Sequence, residues 1–217
     1  MLKIGLWLLA GTAVVLAAVL IAWSVFMRTI ETPDYRLLEQ DGPIELRHYP
    51  AMRIAEITRQ GSRESAVRAG FGPLARYIFA RERGGEHIAM TAPVTQTPAR
   101  ADGSEWRVAF IMPQRYTLEQ LPSPAIDDIE LRELPARRVA AIRFSGRAGD
   151  ALIERQEQRL RTWLAERGLK TAGAPTYAYY NPPWIPGFLR RNEVLIEVAE
   201  GTAQRPEREE AHAAEGP

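Results

Sequence analysis

Three widely spaced histidines, His48, His87 and His212, and the absence of cysteine from all 217 residues set the chemistry open to this chain. An imidazole nitrogen acts as a general base or as a metal ligand. Without cysteine there is no thiolate nucleophile, no disulfide, no covalent c-type haem attachment and no cysteine-built zinc or iron–sulfur site. The histidines form no cluster and no HExxH-type zinc motif. They stand in no familiar Ser-His-Asp order, and Phe144-Ser145-Gly146 lacks the Gly-x-Ser-x-Gly elbow that presents a nucleophilic serine. His48 therefore reads either as a reversible ligand through its lone pair or as an ordinary strand residue. His87 follows Gly84-Gly85 at the entrance to a strand, and His212 lies in a polar C-terminal stretch and reads as solvated.

His48 sits in one copy of an internal echo. The segment from Ile44 to Gly61 returns as Ile129 to Gly146 at a constant offset of 85, with ten of 18 positions identical, so the chain holds two copies of one supersecondary unit. The counterpart of His48 is Glu133. In the first copy Ile44, Leu46 and His48 share one strand face, and Glu45, Arg47 and Tyr49 the other, before Pro50 interrupts the ladder and Ile54 to Thr58 resumes it. The second copy runs Ile129 to Leu134, Pro135, then Val139 to Phe144. Each pair fits one bent strand or a tight hairpin equally well, because both show the same alternation.

A helix follows in each unit. Ser62 caps the first, where Val67, Phe71, Leu74 and Ile78 make an apolar stripe, while Gly70 and Gly72-Pro73 lower the propensity. Asp150 caps the second, where Ile153, Gln156, Leu160 and Trp163 or Leu164 face the core until Gly168 ends it. Two strands come after each helix: 87–95 and 106–112, then 176–180 and 193–198 on either side of a Pro-rich stretch at 181–187. Trp106, Val108, Phe110 and Met112 alternate onto one face. Pro93 cannot donate to a ladder and marks an edge, bulge or turn that the Thr91 hydroxyl caps. The expected fold is α+β: a distorted barrel of two β-α-β-β repeats, about 42–113 and 127–198, with a helix packed on each half.

Ahead of this domain, Ile4 to Met27 carries no charged side chain, and 24 helical residues span about 36 Å against a bilayer core of roughly 30 Å. Trp7 and Trp23 stand towards its two ends, at headgroup level. Residues 1–30 thus read as an N-terminal transmembrane anchor. Lys3 and the terminal amine favour a cytoplasmic N-terminus and a soluble domain at 31–199 on the extracytoplasmic, periplasmic side. A net charge of +1 argues against a nucleic-acid footprint, which needs a concentrated basic face. Residues 200–217, rich in Glu, Arg and Ala, read as a disordered charged tail.

Five ordered segments, Ile44-Glu-Leu-Arg-His-Tyr49, Ile88-Ala-Met-Thr-Ala-Pro-Val94, Ile111-Met-Pro113, Arg143-Phe-Ser-Gly146 and Phe188-Leu-Arg-Arg-Asn-Glu-Val194, resemble the SOUL/p22 haem-binding protein family over about residues 33 to 198. The resemblance implies a distorted barrel of two β-α-β-β halves, in agreement with the duplication, and an association with haem or other tetrapyrroles whose binding mode differs between members. In some members a histidine in the segment resembled by Glu45 to Tyr49 is the proposed axial iron ligand, which maps onto His48.

A porphyrin needs an apolar slot and donors for two propionates. Phe71, Met90, Phe110, Met112, Tyr177, Tyr179 and Trp184 are slot candidates; Arg47, Arg76, Arg190 and Arg191 are carboxylate partners. A methionine thioether is another axial ligand type, and His87 a group for the far side of the ring. Taken singly, each also fits a core or surface role, with Arg190 and Arg191 pairing to Glu193 or Glu197. The expected haem site is His48, Met90, Phe110, Met112, Tyr179, Arg190 and Arg191, with His48 on the metal and no catalytic residue. The expected function is non-covalent binding of haem or a related tetrapyrrole by a membrane-anchored domain, for carrying or buffering. Its rivals are a ligand-free scaffold for a protein partner and a small-molecule hydrolase. Glu56 serves the last only if it points inward with a raised pKa; the expectation is an outward, solvated carboxylate.

Overall fold

The computed structural model describes residues 30–199. The expected membrane helix at 4–27 and the expected tail at 200–217 lie outside them, and among the described residues no helix is long and apolar enough to cross a membrane. The elements run β1 (Arg36–Asp41), β2 (Ile44–Tyr49), β3 (Met52–Gln60), α1 (Arg63–Ile78), β4 (Val94–Pro98), β5 (Glu105–Ile111), β6 (Ile129–Leu134), β7 (Arg137–Phe144), α2 (Asp150–Glu166), β8 (Thr171–Tyr179) and β9 (Asn192–Val198). A short 3-10 turn, Gly187–Leu189, precedes β9.

The nine strands form one antiparallel sheet in the order β1-β2-β7-β9-β8-β4-β5-β3-β6. Exchanging the two repeats sends β2 to β6, β3 to β7, β4 to β8 and β5 to β9, and merely reverses that order about the β4–β8 contact. β2 and β3 do not pair with each other. β2 pairs with β7 and β3 with β6, in one register that survives the corner: Tyr49 faces Arg137 before Pro50-Ala51, and Met52 faces Leu134 after it. Each repeat therefore opens with one bent strand, not a hairpin. The prolines stand where the ladder turns, the place at which a missing N–H costs least.

Both helices cover one face of the sheet. Under α2, Ile153, Leu160, Trp163 and Leu164 meet Ile44, Leu46, Ala140, Ile142, Val194 and Ile196. Under α1, Leu74, Tyr77 and Ile78 meet Ala55, Ile57, Val108, Phe110 and Ile129. A smaller apolar group, Ile54, Ala109 and Ile111 with Met52 and Leu134, occupies the opposite face.

Several local expectations shift. Ser62 does cap α1, accepting from the Ser65 backbone N–H, and Gly168 does adopt a positive φ just past α2. The second cap is Gly149, not Asp150, which is the first residue of α2 and whose carboxylate accepts from Arg63 at 2.6 Å. The strand expected at 87–95 begins only at Val94, while the Thr91 hydroxyl donates to the Ile111 carbonyl at 2.5 Å. β1 lies outside the repeat; all six of its residues are exposed, so no alternation marked it. The buried stripe of α1 runs through Ala66, Gly70, Leu74 and Tyr77–Ile78, leaving Phe71 42% exposed with its ring edge-on to Phe110.

Gly70 explains the shift. A Cβ there would fall 2.9 Å from the Val108 Cβ and 3.1 Å from an Ile57 methyl, so the helix approaches the sheet where it has no side chain. Alanine at a helical glycine gains roughly 0.5–1 kcal/mol, whereas overpacking a core costs about 1–3 kcal/mol. Gly70→Ala is accordingly expected to lower the urea midpoint; a rise in midpoint would refute the close approach.

Candidate functional site

β2 carries two sets of chemistry on its two faces. On the helix side, His48 is half-buried and stands between two arginines, opposite Arg36 of β1 and Arg138 of β7. Neither the imidazole nor either guanidinium has a side-chain partner among the described residues. The Arg138 Nε is buried and unbonded. The repeat shows what is missing: in the other half Glu133 stands opposite Arg53, so an acid faces the arginine there. Exchanging that acid for His48 leaves Arg138 without a cross-strand carboxylate and places one imidazole between two cations.

On the opposite face Arg47 is fully engaged. Its Nη1 and Nη2 donate to Glu193 at 2.7 and 3.1 Å, its Nε to Glu45 at 2.7 Å, and Nη1 also to the Tyr49 hydroxyl at 3.0 Å. The Tyr35 ring lies over its guanidinium at 4.4 Å. Glu193 also accepts from the Tyr180 hydroxyl and from Arg191. Burial pushes the Glu193 carboxyl up, but the hydrogen bonds and charge of Arg47, followed by Arg191, outweigh it and hold the group below the usual carboxylate range. Burial, and then the Glu193 charge, push the Tyr180 phenol up. This cluster consumes its own charge and is structural.

The other sequence candidates are dispersed. Met90, Phe110 and Met112 pack in the α1 core. Met112 also borders a cleft of about 330 Å³, with residues 31–34, Pro50, Met52, Arg53 and Thr91. Tyr179 is bound into a polar chain, donating to Gln96 at 3.1 Å and accepting from Arg63 at 2.7 Å. Tyr177 donates to Glu157 at 2.9 Å and borders a second cleft, of about 380 Å³, beside Trp106 and Arg63. His48 borders neither cleft. Arg190 donates to the Ile185 carbonyl at 2.7 Å and to that of Pro183, and Arg191 pairs with Glu193, as one of its two expected roles had it. Arg76 pairs with Glu82 at 2.6 Å, and His87 is exposed near Phe79. Trp184 is 73% exposed and borders neither cleft.

Glu56 is the clearest departure. It is only 8% exposed, and both its oxygens accept from Arg132 at 3.0 to 3.3 Å. It is thus neither outward nor free to assist water. The flanking residues Arg36 and Arg138 were missed because their proximity to His48 depends on strand pairing, which the sequence left open.

Removing one partner of a buried pair strands the other charge, at a cost of about 3–5 kcal/mol, while replacing both by apolar residues is often near neutral. Glu193→Leu should therefore destabilise by about 3–5 kcal/mol, and Arg47→Met with Glu193→Leu should recover part of it, since Arg191 and Glu45 then lose their partner. A carboxyl held below its unfolded pKa of about 4.3 stabilises above that pH and ceases to do so as pH falls through the lower folded value. Urea titrations taken from neutral pH downwards should show the wild-type chain losing stability below about pH 4.3, with that acid limb flattened in the double variant.

A model of the family described as SOUL heme-binding protein matches residues 30–197. Heme-binding protein 2 of Homo sapiens is 29% identical over 189 residues, covering 82% of this chain and 91% of the human protein. Among solved structures, the C-terminal domain of EcmrR superposes with a TM-score of 0.57 at 13% identity, covering 76% of this chain and 98% of that one. A hydrolase from Listeria innocua superposes with a TM-score of 0.52 at 12% identity, covering 74% and 94%. Likeness at such low identity shows the shared fold.

Proposed function

Because the chain belongs to the SOUL heme-binding protein family, we propose that it binds haem or a related tetrapyrrole without a covalent link. In this reading residues 4–27 tether the domain to a membrane, with its bulk on the extracytoplasmic side, and the ligand is carried or buffered reversibly. The observation that carries the ligand assignment is the cross-strand row Arg36, His48, Arg138.

That donor set fits the ligand. A bare cation needs several protein ligands, whereas among the described residues no three His, Asp or Glu side chains come together as a metal site. One imidazole flanked by guanidiniums suits instead a metal that brings its own macrocycle and two carboxylates. Haem, when bound, supplies iron with an open axial position and two propionates. His48 offers a lone pair at a ring nitrogen that no described residue occupies. Arg36 and Arg138 offer planar donors, the buried Nε of Arg138 among them, to carboxylate oxygens. The absence of cysteine keeps the association reversible. Arg132 on both oxygens of Glu56 weighs against the hydrolase alternative.

Haemin titrated into a fragment of residues 30–199 and followed by absorbance tests the reading. The expected result is a saturable one-to-one change in the Soret band. His48→Ala should alter the coordination spectrum, and Arg138→Leu should weaken binding by roughly tenfold, about 1.4 kcal/mol, while leaving the spectrum of the bound form intact. Saturation untouched by His48→Ala would remove the histidine from the metal, and no saturation would move the assignment to a protein-interaction module.

A further inference from the structure

The segment between β8 and β9 presents apolar side chains to water on a fixed scaffold. Trp184, Phe188 and Leu189 are 73%, 76% and 61% exposed, the three most exposed large apolar side chains among the described residues. They are not loose. Gly146 N–H donates to the Gly187 carbonyl at 2.9 Å, Leu189 N–H to Pro186 at 3.0 Å and Arg191 N–H to the Asn181 side chain at 2.6 Å. Arg190 ties the segment from within through the Ile185 and Pro183 carbonyls. Pro182, Pro183 and Pro186 remove further freedom. A rigid apolar tip loses little conformational entropy on burial, so it is preorganised for a partner.

The charge around it is of one sign. Arg190 belongs to the segment, exposed Arg147 packs on Gly187, and exposed Arg143 lies on the neighbouring strand, while Arg191 is already paired with Glu193. Residues 180–191 contain no acidic side chain, and Glu193 beside them is buried and committed to Arg47 and Arg191. An apolar tip with an indole, ringed by arginine, matches the interface of an anionic bilayer, where tryptophan settles at headgroup level and arginine meets phosphate.

Chain path supplies the second argument. The base of the segment, Tyr180 and Arg191, contacts Glu193, which contacts Arg47, whose guanidinium lies under the Tyr35 ring. Glu31, held by the Ala92 and Gln114 N–H groups, follows the charge-free stretch ending at Met27 by four residues, which reach at most roughly 14 Å. One polar cluster thus joins the base of the tip to the start of the described chain. We infer that Trp184, Phe188 and Leu189 form a second membrane contact, inserting into the interface of an anionic bilayer and fixing how the domain sits on it. This rests on reading residues 4–27 as a membrane span.

The chain has no cysteine, so Phe188→Cys in the full-length protein accepts a single environment-sensitive NBD label, with Arg68→Cys on the exposed side of α1 as the reference. Both are reconstituted in vesicles of phosphatidylcholine alone and of equal parts phosphatidylcholine and phosphatidylglycerol. The expected result is a blue shift and quenching by acyl-brominated lipid at position 188 but not at 68, stronger with phosphatidylglycerol and lost when Trp184→Ser and Leu189→Ser are added. Emission at 188 matching that at 68 in vesicles that carry the chain overturns the contact while leaving the tether intact. Failure of the chain to float with vesicles overturns the tether itself, and with it the contact. A shift at 188 that tracks protein concentration in detergent without lipid assigns the patch to a second copy and also overturns the proposal.

Discussion

Because β2 pairs with β7 of the other repeat, and β3 with β6, each half of the chain needs the other's bent strand to complete its hydrogen bonding, and the rest of the molecule follows from that interlock. An unpaired edge in either half would be both a lost ladder and a template for aggregation. The shared register through Pro50-Ala51 and Pro135-Ala136 fixes which residues face the helices and which face away, since a slip of one residue would invert every side chain. Both helices then land on one face. The face they leave is lined where strands crowd by Ala109, Ala141 and Ala178, all buried, and small residues there leave room for the longer ones that follow.

Those longer residues show how a duplicated sequence diverges without losing its frame. Arg47 and Arg132 occupy the same position in the two copies, and both reach inward to a carboxylate. Their partners are not equivalent. Arg47 uses Glu193 of β9, across β7, while Arg132 uses Glu56 of the adjacent β3, whose own counterpart is Ala141. A buried guanidinium demands an anion, but the demand is indifferent to which strand supplies it. Such pairs contribute little net stability against an apolar replacement, so their weight lies in fixing one arrangement of strands. The same divergence, one residue on, produces His48 opposite Arg138 where Glu133 faces Arg53.

The echo carried the architecture because it preserves both the strand alternation and the spacing to each helix. It did not separate a bent strand from a hairpin, since alternation has the same period in both. Leu74 and Ile78 of the α1 stripe stand where they were expected, but its first half was read one residue off because apolarity favours large side chains, while the closest approach occurs at Gly70, which has none. β1 escaped because it is exposed along its whole length. At the site, His48 was legible as the odd member of the repeat. Its neighbours were not: Arg36 and Arg138 arrive from different strands, and only register brings them together. Phe110 and Met112 illustrate the converse, because an apolar residue type does not distinguish a ligand slot from a packed core.

The position of the cationic row has a consequence for how a tethered domain would meet its ligand. Arg36 is the residue after Tyr35, the point where the incoming chain locks onto Arg47, and it stands opposite His48. A tetrapyrrole with an apolar ring and two carboxylates partitions into a bilayer with its carboxylates at the surface. A site held within a short chain of that surface meets it at a high effective concentration, set by the linker and not by bulk solution. Tight binding would then be a disadvantage for release. In the proposed reading, a half-buried imidazole between two arginines, bordering neither of the clefts described, would bind by coordination and charge and give up its ligand when either is withdrawn.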